Sequence, residues 1–391
     1  MHSWSEITLQ LVPATEFAAQ SLSAWVDLET RASVPNAFLS PYFVIPAIRH
    51  LMANQNAFGI FIERKTRGTS TLIGVALFQS HQPNRHFPLP HLSMFASEHS
   101  YLSGLLLDRD YAQQALQRLA QFLATEQHLW HGLYVDNFPQ ELAAAAETRA
   151  AISASGFQWH LLQTWQRPVL RPGQNDFQAL PSISHHAHKD YQRHVRQLKA
   201  LGTVDWIVQR GDQPLNHSLQ EFLRLEHMGW KEQQKTSIAS RANDLEFFRE
   251  MSAGFQRAGR LFLTELRLDQ TIIASTVNLL SGNVGFGFKL GWDTRYAKYS
   301  PGTVNLIQML EHAEDAFRDL EYIDSSTQPN SYVNKIWPGR RNLVEGWLTL
   351  SPLGKAALTS VRFAQKWKAW LLQVAKYRPD WITHRVDKRH I

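Results

Sequence analysis

Cysteine is absent from the 391-residue chain, which excludes disulfide bonds, cysteine-ligated metals and a cysteine nucleophile. Long hydrophobic runs are also absent, because the longest apolar segments, such as IGVALF, have the length of a strand and not of a membrane-spanning helix. The first residues, MHSWSEITLQLVPATEF, show no basic segment followed by an apolar one, so no secretory signal is expected. With 44% hydrophobic and 19% charged residues, the chain is predicted to be globular. The absence of cysteine and of a visible secretory signal fits a cytoplasmic location, which is the one we expect.

Positive charge is concentrated at the C-terminal end. Residues 355–391 contain nine Lys or Arg and two Asp, a net charge of +7, so the first 354 residues contribute −1 to the total of +6. A basic segment this local does not indicate a nucleic-acid-binding protein. Apolar residues recur at helical spacing from Ala357 to Val374, which predicts a basic amphipathic helix. Either this helix packs on its own domain or on a second subunit, or it docks on anionic lipid.

The segment from Gly285 to Arg341 carries the clearest local signals. Its pattern predicts a strand, a helix beginning at Ser300-Pro301-Gly302, a short strand ending at Asp324, and a polar loop that ends in two arginines. Ser is a favoured N-cap, Pro suits the first helical position, and Gly allows a ligand to approach the backbone closely. Free N–H groups and the helix dipole would point at one place, so this loop predicts an anion site.

The two halves of the chain repeat one plan. Each has leading helices, a strand–turn–strand, a third strand, a loop with Ser and Gly, a helix, and a strand ending in Asp (LYVDNFP and EYIDSST). A Pro- and Gly-containing polar segment, 171–184, separates them. We expect two similar domains at 1–170 and 171–352, followed by a basic helix and tail at 353–391. The first copy lacks the proline and the polar residues after its aspartate, so the chemistry is expected in the second.

Several motifs of the second half, taken together, resemble those of a known family. They are Glu226-His227-Met228-Gly229-Trp230-Lys231, Thr236, Phe288-Lys289, Asp293, Tyr299-Ser300-Pro301-Gly302, Asp324-Ser325, Trp337 and Arg340-Arg341. The chain resembles the tandem-domain GNAT N-acyltransferases, which include acetyltransferases of bacterial cellulose and exopolysaccharide clusters and are related to the Fem-type peptidyl transferases. The resemblance implies an α/β (α+β) fold with two tandem GNAT-like domains, each a mixed, mostly antiparallel sheet flanked by helices, the first of them degenerate.

The resemblance also implies a reaction and a set of site residues. An acyl group, in the first place acetyl, would pass from acyl-CoA to an amine by direct attack, which requires a general base and stabilisation of an oxyanion. Asp324 is the first choice for the base and Glu226 the second, while Lys289 is expected either to extend outward or to enter a cleft beside an acidic group. The residues expected to hold the donor are Tyr299, Ser300, Pro301, Gly302 and Thr303. The residues expected to contact the substrates are Trp230, Lys231, Ser325, Lys335, Arg340 and Arg341.

Other readings of the same sequence remain open. One is an aminoacyl-tRNA-dependent Fem-like transferase with tRNA near the basic tail, and another is a non-catalytic scaffold subunit of an envelope polysaccharide or lipid assembly. The acceptor is expected to be a small-molecule, glycan-linked or lipid-linked amine. A homodimer and a peripheral contact with the inner face of the membrane through the C-terminal helix are further expectations. No metal site is expected, because His185, His186 and His188 have no carboxylate at a fixed helical offset.

Overall fold

The computed structural model describes residues 6–52, 56–173, 185–211, 214–228 and 234–376. Within these ranges, thirteen strands form one sheet. The strands are β1 (Glu6–Pro13), β2 (Ala57–Thr66), β3 (Thr69–His81), β4 (His91–Met94), β5 (Leu106–Leu107), β6 (Gly132–Pro139), β7 (Gln158–Leu170), β8 (Val204–Arg210), β9 (Leu261–Leu268), β10 (Thr271–Ser281), β11 (Val284–Trp292), β12 (Tyr322–Asp324) and β13 (Gly339–Thr349).

Helices flank both faces of the sheet, as the expected mixed α/β class requires. The α-helices are α1 (Leu22–Arg31), α2 (Pro41–Leu51), α3 (Ala112–Thr125), α4 (Gln140–Ala143), α5 (Ala146–Ala154), α6 (His185–Lys199), α7 (Asn216–His227), α8 (Ala242–Arg257), α9 (Pro301–Glu311), α10 (Ala313–Ala316) and α11 (Pro352–Lys376). Short 3-10 helices cover Ala14–Ala19, Ala37–Leu39, Ile238–Ser240, Thr294–Tyr299 and Tyr332–Lys335.

The two halves of the sheet have the same topology. Strands β1 to β4 in the first half and β8 to β11 in the second are antiparallel neighbours in chain order. A later strand then joins each set in parallel: β6 pairs with β4, and β12 pairs with β11. Each parallel pair is only two or three residues long. The short strand β5 pairs separately with β3. The duplicated plan expected from the sequence is therefore present in the strand order.

The halves exchange a strand at the centre of the sheet. Strand β13, from the end of the second half, lies between β6 and β7, and β7, from the end of the first half, lies between β13 and β12. Strands β7 and β13 pair antiparallel along their whole length, from Gly339 opposite Val169 to Thr349 opposite Gln158. Each half is thus completed by a strand from the other, an arrangement that hydrophobic periodicity does not encode.

Aromatic side chains join the halves on one face of the sheet. Phe43 of α2 packs edge-on against Phe247 of α8 with ring centres 5.3 Å apart, and Phe38 packs on Phe286 of β11 at 5.8 Å. Glu29 of α1 is fully buried and accepts hydrogen bonds from Arg260, which precedes β9. The segment that connects β1 with β2 is therefore held against β11 and against the segment that connects α7 with β9.

Candidate active site

Strands β11 and β12 separate soon after they pair. They are hydrogen-bonded neighbours only where Val284–Phe286 meet Tyr322–Asp324. Strand β11 then continues to Trp292 without β12, while its other edge stays paired with β10. A cavity of about 990 Å³ occupies the opening. Its lining includes β11 from Gly287 to Trp292, parts of α7, β10 and α9, the segments 325–328 and 330–333, and the single residues Tyr101, Met228, Thr294, Ala297 and Trp337.

A β-bulge determines which β11 side chains face which side of the opening. The register with β10 shifts between Val277, opposite Lys289, and Asn278, opposite Gly287, so Phe288 is the extra residue. Phe288 packs on Phe248 of α8, with ring centres 6.2 Å apart. Because of the bulge, Lys289 faces the same side as Phe288 instead of the opposite one. The lysine therefore points towards α7 and α8, into the cleft rather than outward.

Glu226 of α7 is the acidic group that Lys289 meets. Its side chain is buried and its Oε2 accepts a hydrogen bond from the Ile238 backbone N–H at 2.9 Å. Burial lowers the pKa of Lys289, and the negative charges of Glu226 and Asp244 oppose that shift. Tyr101 comes from the first half of the chain, and burial together with the nearby Glu226 raises the pKa of its hydroxyl. Glu226, Lys289 and Tyr101 all line the cavity.

Two residues behind this group were not predicted from the sequence. His99 is buried, its ring stacks on Phe247, and burial with the neighbouring Lys289 lowers its pKa to about 3, so it is neutral near pH 7. Its Nε2 lies 3.6 Å from Oδ2 of Asp244, whose pKa is raised by burial. His99 and Asp244 lie 145 positions apart in the sequence, in different halves, so no local pattern relates them.

Gly291 allows α7 to approach β11 closely. A Cβ at this position would lie 2.6 Å from the Glu226 backbone N and 2.9 Å from the Leu225 carbonyl carbon. Backbone atoms cannot move aside as a flexible side chain does, so α7 would be displaced. Gly291 therefore fixes the position of Glu226 relative to Lys289.

We expect Gly291→Ala to lower the acyl transfer that the family resemblance implies at least about tenfold, because a shift of about 1 Å in a group that takes part in a reaction commonly costs more than that. Turnover at saturating substrate measures the effect. Gly259→Ala is a control at a position where nothing lies within 4 Å of an added Cβ, although its φ of +66° adds local strain. Equal activity of the two variants would contradict a positioning role for Gly291.

Asp324 lies next to the cavity but does not line it. Its carboxylate is fully buried, and Arg341 donates a hydrogen bond to Oδ2 at 3.0 Å while Arg167 lies 3.6 Å from Oδ1. The two arginines are directly opposite each other on β7 and β13, so their charges repel unless a carboxylate lies between them. Arg341 also donates to Glu141 of α4. This placement favours a structural role for Asp324 at the strand exchange.

The residues that follow Asp324 do line the cavity. Ser325, Ser326 and Thr327 form its wall on the β12 side, and Ser325 Oγ and Thr327 Oγ1 are 2.9 Å apart. Ser326 adopts a left-handed conformation with φ of 54°, and its N–H donates to Asp324 Oδ1 at 2.8 Å. Its buried hydroxyl has no hydrogen-bond partner among the described residues. Asp324 therefore shapes a turn that presents hydroxyl groups to the cavity.

The expected donor loop is adjacent to the cavity and does not line it. Ser300 is the N-cap of α9, but it is left-handed and makes no side-chain cap hydrogen bond, contrary to the sequence-based expectation. Gly302 is close to side chains of β11, because its Cβ would lie 2.9 Å from Leu290 Cδ2. Tyr299 is buried in the core beside α9. Pro301 and Thr303 also lie outside the lining, so donor binding by residues 299–303 stays a prediction.

The expected substrate residues are divided. Ser325 lines the cavity, whereas Arg340 donates hydrogen bonds to the carbonyl oxygens of Gly339 and Asn334, both at 2.8 Å, and closes its own loop. Lys335 is exposed and outside the lining. The predictions for Trp230 and Lys231 lie outside the described residues.

The corresponding position in the first half is filled by apolar side chains. Where β4 and β6 separate, the space left is about 220 Å³. It is lined by Leu, Phe, Met, Ala and other apolar residues, with Thr148 and Arg149 as the polar exceptions. The polar groups of the β11–β12 opening have no counterpart in this lining, which supports the second half as the place of the chemistry.

The described residues include neither a candidate metal site nor a candidate membrane-spanning helix. They contain no group of three or more His, Asp or Glu side chains arranged to hold a metal ion, and the side chains of His185, His186 and His188 lie outside them. None of the described helices has the length and apolar character needed to cross a membrane.

Comparison with known proteins agrees with the fold. Residues 185–332 match the acetyltransferase (GNAT) domain family. FemX superposes with a TM-score of 0.52 at 10% identity, covering 85% of this chain and 96% of FemX. A conserved protein of unknown function from Bacteroides thetaiotaomicron VPI-5482 gives a TM-score of 0.51 at 10% identity, covering 88% and 100%. No curated protein matches the sequence.

The second half of the chain therefore matches a GNAT acetyltransferase domain, and the overall fold is similar to that of FemX. The GNAT match ends at residue 332, so it contains β8 to β12 and most of the cavity lining. The narrower resemblance to cellulose-cluster acetyltransferases has no counterpart among these matches.

Proposed function

We propose that the protein transfers an acyl group, in the first place acetyl, from a CoA thioester to a primary amine by direct attack in the cavity between β11 and β12. The observation that carries this proposal is the convergence of Glu226, Lys289 and Tyr101 on that cavity. The narrower resemblance suggests an amine borne by a glycan as the first acceptor to test, and small-molecule or lipid-linked amines as the next.

The cavity fits an extended acyl donor in size and in polar groups. Its volume of about 990 Å³ is within the range of small-molecule sites. Beyond Phe286, the β11 edge opposite β10 has no strand beside it in the described residues, and such an edge can bind an extended chain that contains amide groups. The pantetheine arm of CoA is such a chain. The hydroxyls of Ser325 and Ser326 lie across the opening from this edge.

Glu226, Lys289 and Tyr101 then each have a defined part in the transfer. Glu226 accepts the proton that the acceptor's ammonium group must lose before its nitrogen can attack. The amine nitrogen adds to the thioester carbonyl carbon, and Lys289 donates hydrogen bonds to the oxygen on which negative charge develops. The carbon–sulfur bond then breaks, and the departing CoA thiolate takes up the second proton of the nitrogen, so that the products are the amide and free CoA. The pKa of Tyr101 is raised above the ordinary value for tyrosine, so its hydroxyl is protonated at neutral pH. This hydroxyl acts as a hydrogen-bond donor in the cavity. No covalent enzyme intermediate is required.

Acetyl-CoA is expected to stabilise the protein against heat. A ligand at about 100 times its Kd adds about 2.7 kcal/mol to the free energy of unfolding, a rise of several degrees in melting temperature. The measurement is a thermal-shift titration with acetyl-CoA, and the matched control ligand is adenosine 3′,5′-bisphosphate, which lacks the pantetheine arm. The bisphosphate should produce a much smaller shift, because the arm occupies the cavity.

A second titration uses Ala297→Trp. Ala297 is exposed and lines the cavity, so a bulky side chain there should obstruct it without disturbing the core. The shift with acetyl-CoA should largely disappear. If no CoA ester shifts the wild-type melting curve at millimolar concentration, the CoA donor is wrong. Steeply salt-dependent binding of tRNA in that case would support an aminoacyl-tRNA donor instead.

A further inference from the structure

Helix α11 extends beyond the body of the protein. Every described side chain from Arg362 to Gln373 is exposed. The exposed residues include large apolar ones, with Phe363 69%, Trp367 54% and Trp370 51% exposed. The expectation that this helix packs on its own domain therefore holds only for its first turns. Apolar side chains of this size in one exposed stretch indicate an interaction surface.

The first turns of α11 show which side of the helix faces the protein. A Cβ at Gly354 would lie 1.9 Å from the His131 carbonyl oxygen, and Leu358 is buried against Phe87 and Trp347. Arg362, one turn further on, is close enough to His160 of β7 to lower its pKa together with burial. Gly354, Leu358 and Arg362 are spaced by four residues and lie on one side of the helix.

Phe363, Trp367, Trp370 and Leu371 lie on the opposite side of α11. Successive residues are turned by about 100° around the helix axis. Viewed down this axis, an apolar stripe begins at Trp370, passes through Phe363, Trp367 and Leu371, and ends at Ala357, a span of roughly 140°. The centre of this stripe is roughly 180° from the side marked by Gly354, Leu358 and Arg362. The rings of Trp367 and Trp370 are 5.1 Å apart. The stripe therefore faces away from the body of the protein.

The charge of α11 is of one sign. The segment 352–376 contains five Lys or Arg and no Asp or Glu. On the helical projection, Lys366 lies just beyond one border of the apolar stripe and Lys368 just beyond the other. Lysines in these positions can extend their charged ends past an apolar surface while their methylene groups remain on it. Tryptophans beside flanking lysines are typical of helices that lie in a membrane interface.

We propose that α11 docks the protein on an anionic phospholipid surface, with the stripe of Phe363, Trp367, Trp370 and Leu371 inserted at the boundary of headgroups and acyl chains. The charge selects this partner over a second copy of the chain. Pairing two α11 helices through their stripes would bring together ten positive charges without one acidic residue on either helix. An anionic surface attracts each of those charges. A helix that lies on the surface is within a Debye length of it, so salt screens this attraction only partly.

The test is flotation of the full-length protein with vesicles. We expect the protein to float with vesicles of phosphatidylglycerol and phosphatidylcholine at low salt, and to stay at the bottom of the gradient with phosphatidylcholine alone. Trp367→Ser combined with Trp370→Ser should lower the vesicle-bound fraction at least about tenfold, because two large apolar side chains no longer insert. Melting temperature and transfer to a soluble amine should be unchanged, since these residues are remote from the cavity.

Leu129→Ser is the matched control, because Leu129 is 46% exposed and lies before β6 rather than on α11. This variant should float like the wild type. The proposal fails if the double Trp variant still floats, if phosphatidylcholine alone binds equally well, or if the protein is a dimer that the double Trp substitution converts to a monomer. Binding of tRNA that is lost in the double Trp variant, without vesicle binding, would also overturn it.

Discussion

Glu226→Gln is expected to lower kcat for acyl transfer to an amine by roughly 10²- to 10⁴-fold, the usual contribution of a positioned general base. Glutamine has the same size and its amide oxygen can still accept the hydrogen bond of the Ile238 N–H. The segment 238–240 and the cavity wall should therefore keep their positions, and the stabilisation by acetyl-CoA should remain. Loss of turnover with retained donor binding is the expected combination.

The pH dependence of the same variant separates a proton-transfer role from a structural one. If Glu226 removes the proton of the ammonium group, the residual rate of Glu226→Gln should rise with pH up to the pKa of the acceptor amine, because free amine then forms in solution. Glu221→Gln, on the same helix and paired with Arg224, should retain activity within about twofold, as a surface ion pair contributes little. Wild-type turnover in Glu226→Gln would remove Glu226 as the base.

Asp324→Asn is expected to be the most destabilising of the site substitutions. It removes the carboxylate between Arg167 and Arg341, and breaking a buried ion pair in this way costs about 3–5 kcal/mol of the free energy of unfolding. Denaturant unfolding of the variant measures the loss. The effect should appear as lost stability, with activity per folded molecule much less affected than in Glu226→Gln.

Asp293→Asn is the control for this substitution. Asp293 is also fully buried, but its partner Arg295 is exposed, and asparagine can still accept the hydrogen bond from the Arg295 N–H. Its loss of stability should therefore be clearly smaller. If Asp324→Asn folds with near wild-type stability and has no turnover, Asp324 is the base after all and its structural assignment is wrong.

The sequence was sufficient for the local order of elements in the second half. The strand β11, the start of α9 at Pro301 and the strand ending at Asp324 follow from periodicity, the N1 proline and β-propensity, all of which act over a few residues. The repeat of the plan in the first half was visible for the same reason. The family-level resemblance placed Glu226 and Lys289 in one site, and both line the cavity.

The roles of individual residues depended on contacts that the sequence does not encode. A bulge at Phe288 decides the direction of Lys289, and the exchange of β7 and β13 places two arginines on Asp324. A glycine beside a helix start suggested a ligand site in the sequence. In the structure, Gly302 instead allows the side chain of Leu290 to lie close to the backbone. His99 reaches the site only because the two halves pack together. Each of these effects is set by contacts between separate elements, which a local sequence pattern does not specify.

We propose that the acyl group is transferred in the opening between β11 and β12, with Glu226 beside it. The most direct measurement is a crystal structure of Glu226→Gln grown with acetyl-CoA, since the variant should bind the donor without consuming it. We expect the acyl group in the cavity, against the β11 edge from Gly287 to Gly291 and within hydrogen-bond reach of residue 226 or one water away. Acetyl-CoA bound elsewhere, with this cavity empty of it, would show that the acyl group is not transferred in this opening.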